Sequence, residues 1–219
     1  MVKRIAFFGP VGTYTEEAAL LYEPKADLQA FSTIAAVGAA VASGLIEEGV
    51  VPIENSLEGS VTYTLDLLIS QPDLSIFSEV VLPIEHFLMA KAGTRAPDVQ
   101  VIYSHPQALA QCREFLERCF PNAHQMASLS TVAAVTDMKS SGVPAAAIAP
   151  RRAAQLHGVE IIGSGVQDMA NNVTRFAVLA RGDHPPRETT RPQYASLMKK
   201  THPACCTGHW GSSQRGTSI

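Results

Sequence analysis

Apolar residues along this chain alternate between short unbroken runs and stretches spaced three or four apart. Short runs bounded by Gly, Pro or Asn read as buried strands, and the periodic stretches read as helices. Strands are expected over 3–8, 27–31, 49–53, 99–103, 123–127, 145–149, 159–162 and 174–180. Helices are expected over 13–22, 33–43, 60–70, 106–120, 131–140 and 151–156. Thr13 and Glu16 have the spacing of a capping box, Ser60 suits the cap of the third helix, and Pro106 suits a first helical turn. Between 74 and 91 the rhythm changes to longer extended segments with few turn signals, as in a crossing from one lobe to another.

Repeated strand–helix units imply an α/β fold of mainly parallel sheets covered by helices on both faces. Two such blocks joined by extended segments imply two lobes with a cleft between them. Ligands of open α/β sheets collect at the carboxyl ends of the strands. The polar clusters sit there: Gly9–Tyr14 after the first strand, Glu54-Asn55-Ser56 after the third, and Ser104-His105-Pro106-Gln107 after the strand ending at Tyr103.

The 219 residues are 46% hydrophobic, enough for one large domain or two small lobes. Net charge is -3 with no Lys/Arg-rich run, which argues against nucleic acid as a partner. The apolar N-terminus stops at Gly9-Pro10, too short for a signal-peptide core, and no stretch is long enough to span a membrane. A cytoplasmic location is expected. Cys112 and Cys119, seven apart in a helical pattern, read as inert core thiols, and no His/Cys spacing resembles a zinc site.

The stretch 171–176, Asn-Asn-Val-Thr-Arg-Phe, places a hydroxyl, a guanidinium and a ring at the mouth of a buried strand. Desolvating Arg175 is costly unless an anion meets it. That anion is either a ligand or a carboxylate of the protein. Glu54 could stay ionised or, if buried, act as an acid. Thr13 and Tyr14 lie in a Gly-containing turn whose amides suit an anion, but the turn lacks dinucleotide or P-loop spacing. Gln107 and Gln111 share a helix face. Ser104 next to His105 does not make a nucleophile elbow.

Four segments, GPVGTYTEEAA, VPIENSLEGSV, YSHPQALAQC and NNVTRFAVLA, occur in this order. Together they resemble prephenate dehydratase, a carbon–oxygen lyase that converts prephenate to phenylpyruvate, CO2 and water in phenylalanine biosynthesis. The likeness covers about 1–181. It implies two lobes similar to a type II periplasmic binding protein, the first about 1–76 plus 165–181 and the second about 77–164. By resemblance Thr174 is catalytic and aids the leaving hydroxyl, with Glu54 a weaker catalytic candidate. Arg175 would hold a substrate carboxylate and Phe176 would pack beside it. Asn55, Ser104 and Gln111 would bind and orient substrate, and Thr13 and Tyr14 would form the anion-binding turn. Aromatisation supplies driving force, so no metal, flavin or nucleotide cofactor is expected.

Residues 182–193 read as a linker, and 194–219 as an aberrant, disordered remnant of a phenylalanine-binding ACT domain. The tail has no apolar periodicity, and another reading frame over 203–219 can spell an ACT-like helix, as a frameshift would produce. This implies a missing phenylalanine effector site and a homodimer weakened by the loss of ACT contacts. Alternative readings are an arogenate dehydratase, a catalytically impaired remnant, or a non-catalytic solute-binding protein of similar shape.

Overall fold

In β1 (Arg4–Phe8) the run Ile5-Ala6-Phe7 is buried from both sides, as a strand inside a helix-covered sheet requires. The computed structural model describes residues 2–182 and the backbone of Gln193–Tyr194. The rest of the expected linker and ACT-like tail lies outside the described residues. β1 pairs in parallel with β2 (Asp27–Phe31) and β3 (Glu48–Asn55). Alternation along the strands divides the core. Ile5, Phe7 and Val50 pack on Ala18 and Ala19 of α1 (Tyr14–Tyr22), while Ala6 and Val51 pack on Val37 and Val41 of α2 (Ile34–Ala42) and Leu67 of α3 (Thr62–Ser70).

Two local expectations fail at helix starts. Ser60 does not cap α3: it lies in β4 (Gly59–Ser60), which folds back on β3, and Val61 is the cap residue. Thr13 occupies the cap position of α1, but its hydroxyl donates to the Pro10 carbonyl, and the Glu16 carboxylate accepts from the Gly12 amide instead. Gly12 sits at φ 96°, and a Cβ there would meet Leu156 and Val132 of the other lobe at 3.3 Å. The turn therefore needs glycine both for its backbone and for the closeness of the second lobe.

β5 (Leu74–Pro83) lies whole in the first sheet, so the chain changes lobe at 84–86 rather than near 76. The second sheet holds β6 (Phe87–Ala90), β7 (Val101–Ser104), β8 (His124–Ala127), β9 (Ala145–Ala149) and β10 (Glu160–Ser164), in the order β10-β6-β9-β7-β8. The chain returns through 165–172 into β11 (Val173–Arg181), which inserts between β3 and β5. β12 (Gln193–Tyr194) pairs with β5 at the sheet edge.

The expected mainly parallel sheets are therefore mixed. Pairing is parallel within β2-β1-β3 and β8-β7-β9, but β11 runs antiparallel to β3 and β5, and β6 antiparallel to β9 and β10. The reversal falls on the strands by which the chain enters a lobe after a crossing, β6 and β11, while β5 and β10, which lead out, run the same way as β3 and β9. The two-lobed α/β arrangement itself is as expected.

The helix expected over 106–120 is two helices, α4 (Pro106–Gln111) and α5 (Arg113–Cys119), broken at Cys112. The Asp168 carboxylate accepts from the amides of Glu114 and Phe115 at 2.9 and 3.0 Å and so caps α5 from the returning crossing. Cys112 stays a buried thiol whose pKa burial pushes up. Cys119 packs, partly buried, at the edge of the same cluster. The remaining helices are α6 (Thr131–Ser140) and α7 (Arg151–His157).

Candidate active site

A cleft of about 350 Å³ opens between the lobes where the first-sheet strands end. Thr13, Tyr14, Asn55, Gln111, Thr174 and Phe176, all expected at a site, line it together. Three other expected residues do not. Successive side chains of a strand face opposite sides, so Thr174 and Phe176 of β11 turn inward and Arg175 turns out. On the reverse face Arg175 donates to Glu54 at 2.6 Å and to both Glu79 oxygens at 2.8 and 2.9 Å. These pairs raise the guanidinium pKa, Glu79 contributing most. Of the two anions considered for Arg175, the protein's own carboxylates are the ones it meets. Glu54 is taken up in the same half-exposed cluster. Ser104 is fully buried, and its hydroxyl donates to the Ile148 carbonyl at 2.7 Å, which fixes β7 against its neighbour.

A continuous set of hydrogen bonds crosses the cleft. The Asn55 carbonyl oxygen accepts from the Leu57 and Glu58 amides at 2.9 and 3.1 Å. This fixes which end of the carboxamide is nitrogen, and that nitrogen donates to Thr174 Oγ1 at 2.8 Å and to Asn172 Oδ1 at 2.7 Å. Asn172 in turn donates to Gln111 Oε1 at 3.2 Å, and His86 Nε2 stands 2.8 Å from the same oxygen. Thr174 is an acceptor from Asn55, so its own proton is directed elsewhere, and the cleft is the open side. Tyr14 donates to the Glu85 carbonyl at 2.6 Å, and its phenol pKa is raised by burial and then by Glu17, Cys112 and Glu85.

Among the described lining residues there is no Lys, Arg, Asp or Glu. The positive features are the helix N-termini that open into the cleft at Thr13 and Ser130, the cap residues of α1 and α6, and the rings of His86 and His105 stand beside them. Among the described residues no group of three or more His, Cys, Asp or Glu could hold a metal ion, and no helix is long and apolar enough to cross a membrane.

A family model described as prephenate dehydratase matches residues 5–184. The chain belongs to the prephenate dehydratase family. It is 38% identical over 196 residues to arogenate dehydratase/prephenate dehydratase 1, chloroplastic, of Arabidopsis thaliana, an alignment covering 89% of this chain and 49% of that protein. It is 36% identical over 179 residues to prephenate dehydratase of Lactococcus lactis subsp. cremoris, covering 81% of this chain and 63% of that one. The crystal structure of prephenate dehydratase from Arthrobacter aurescens in complex with L-Phe superposes with a TM-score of 0.78 at 31% identity, covering 85% of this chain and 63% of that one. The chain spans about half the length of several curated relatives it matches.

Within this prephenate dehydratase fold the residues that sequence reasoning passed over are His86, Asn172, Ser130 and Thr131. Asn172 stood inside a quoted motif, and its place two residues before Thr174 was the signal. His86 carried none, being a single histidine between two apolar strands. His105, weighed only as a base for Ser104, lines the cleft and caps α4, accepting from Gln107 N at 3.4 Å.

Proposed function

We propose that this chain catalyses the decarboxylating dehydration of prephenate to phenylpyruvate. The observation that carries this reading is the direction of the bond between Asn55 and Thr174. Donation from Asn55 polarises the Thr174 hydroxyl and leaves its proton free for the 4-hydroxyl of the substrate. As the ring carboxylate departs as CO2, its bonding electrons enter the ring and the C4–O bond breaks. The dianion takes up one proton overall, so the products are the phenylpyruvate monoanion, CO2 and water. Thr174 supports the leaving oxygen by hydrogen bonding and proton relay rather than by ionising.

The substrate's carboxylates are received by dipoles rather than by a guanidinium. The α1 and α6 N-termini supply the positive potential, which is strong where water is excluded. Phe8, Ile84 and Phe176 give the ring an apolar bed. Arogenate, which has an amine in place of the keto group, is the second substrate to test because the Arabidopsis relative carries both names. The described lining holds no carboxylate for its ammonium, which favours prephenate.

The test is phenylpyruvate formation from prephenate by the 219-residue chain, with arogenate in a parallel assay and with phenylalanine added to each. Turnover of prephenate supports the reading. A folded chain that turns over neither substrate removes it. The arms with phenylalanine test the expectation that this effector does not act.

A further inference from the structure

The hydrogen-bonded set that ends at Thr174 has two anchors. One is local: the Leu57 and Glu58 amides, which hold Asn55. The other is His86, at the far end, on the first crossing between the lobes. His86 is 3% exposed and its backbone amide donates to Gln167 Oε1 at 2.9 Å, on the second crossing. The crossings are also joined by Ile84 N to Asn172 O at 2.8 Å and Val166 N to His86 O at 3.0 Å. The middle members come from different places, Gln111 from the second lobe and Asn172 from the second crossing. The set therefore closes only when both lobes and both crossings are in register.

Directions along the set follow from the inventory of donors. Asn55 is fixed by backbone, so Asn172 presents its oxygen to Asn55 and its nitrogen to Gln111. Gln111 must then present oxygen, and His86 Nε2, facing the same oxygen, must carry a proton. Burial lowers the His86 pKa, which favours a neutral ring with its one proton on Nε2 and a lone pair on Nδ1. Nδ1 lies 3.1 Å from the Tyr14 hydroxyl, whose proton is shared between it and the Glu85 carbonyl.

We propose that His86 is a positioning residue for the dehydration: by donating from Nε2 to Gln111 it holds Gln111 and Asn172 in the orientation that keeps the backbone-fixed Asn55 donating to Thr174, whose proton then points into the cleft. This rests on the reading of Thr174 given above. Without the His86 donor the Gln111 oxygen is held only by Asn172 and the Gln111 nitrogen only by a long 3.5 Å bond to the exposed Glu58 carboxylate, so the far end of the set loses its short anchor.

The experiment compares prephenate turnover by the full chain with His86→Leu, which fills the space without a donor, and His86→Gln, whose amide nitrogen can reach the place of Nε2. His86→Leu should lower kcat about ten-fold, the cost of one lost buried hydrogen bond, with KM held within about two-fold. His86→Gln should restore most of the loss. Wild-type kcat in His86→Leu overturns the proposal. So does a His86→Gln variant as slow as His86→Leu, since the ring itself would then matter rather than its donor. Thr174→Ala is measured alongside. If it is slow while His86→Leu is not, only this inference fails, and if it is not slow, the reading of Thr174 fails. Should His86→Leu not fold, imidazole nitrogen shifts of the wild-type chain decide, with the His86 signal assigned by its loss in His86→Gln. A neutral ring protonated on Nε2 supports the proposal, and one protonated on Nδ1 overturns it.

Discussion

Thr174 and Arg175 are neighbours on β11 and face opposite sides of one sheet. On the cleft side the polar groups are uncharged, largely buried and arranged by donor direction. On the reverse side they are charged, half exposed and satisfied by one another, Arg175 by Glu54 and Glu79. The difference shows that the most strongly charged cluster near a site need not belong to it. A cleft for an anion can draw its potential from helix ends, while the arginine closes a sheet face.

The comparison breaks first at Thr174. Thr174→Ala should cost about 10²–10³ in kcat, the effect of removing one donor to developing charge. Thr174→Ser keeps the hydroxyl and should recover much of it. Near-wild-type turnover in Thr174→Ala would move the chemistry off this side of the strand.

A smaller effect is expected at Ser104, the residue that resemblance assigned to substrate. Its buried hydroxyl serves the Ile148 carbonyl. Ser104→Val should lower unfolding stability by about 1–3 kcal/mol, since the carbonyl is left without its donor. Urea unfolding measures this, and kcat of the folded variant should stay close to wild type. A variant of full stability that has lost substrate binding would return Ser104 to the cleft.

Arg175 sharpens the contrast further. Exposed ion pairs contribute about 0.2–1 kcal/mol each, and the Arg175 side chain is 45% exposed. With its two pairs, Arg175→Met should therefore change stability by about 2 kcal/mol at most and kcat/KM by less than about three-fold. A rise in KM of a hundred-fold would show that the guanidinium reaches substrate when the lobes move.

Much of this was legible in the chain itself. The central strands β1, β3, β7 and β9 follow from apolar runs, because strands covered on both faces need them, whereas the edge strands β2 and β8 are largely exposed. Thr174, Asn55 and Gln111 stood in quoted motifs. The outward turn of Arg175 was legible too: three consecutive residues of one strand cannot all face one cleft, and the two-residue period alone sets Arg175 apart from Thr174 and Phe176. What local pattern could not carry was long-range. The break at Cys112 depends on Asp168, which is 54 residues from Glu114. The antiparallel strands depend on where the crossings deliver the chain. His86 gains its role from Gln111 and Tyr14, neither of which is near it in sequence.

The smallest expected effect distinguishes the two faces by acid. Arg175 keeps its charge at any ordinary pH because its pairs raise an already high pKa. His86 is held neutral: burial outweighs the Gln111 hydrogen bond and lowers its pKa below the usual value of about 6.5. In the unfolded chain His86 takes a proton that the folded cleft resists. Its contribution to stability is therefore present above about pH 6.5 and is lost as pH falls through the lowered folded value. Wild-type stability should fall more steeply on acidification than that of His86→Gln, which has no group to titrate there. Thermal unfolding of both variants across this range measures the difference. Parallel curves would mean that folding leaves the His86 pKa unshifted, and a wild type that gains stability over His86→Gln on acidification would mean that the ring is protonated in the fold, with both nitrogens donating, one to Tyr14 and one to Gln111. The cleft would then hold a fixed positive charge after all, and the contrast with the Arg175 face would rest on burial alone.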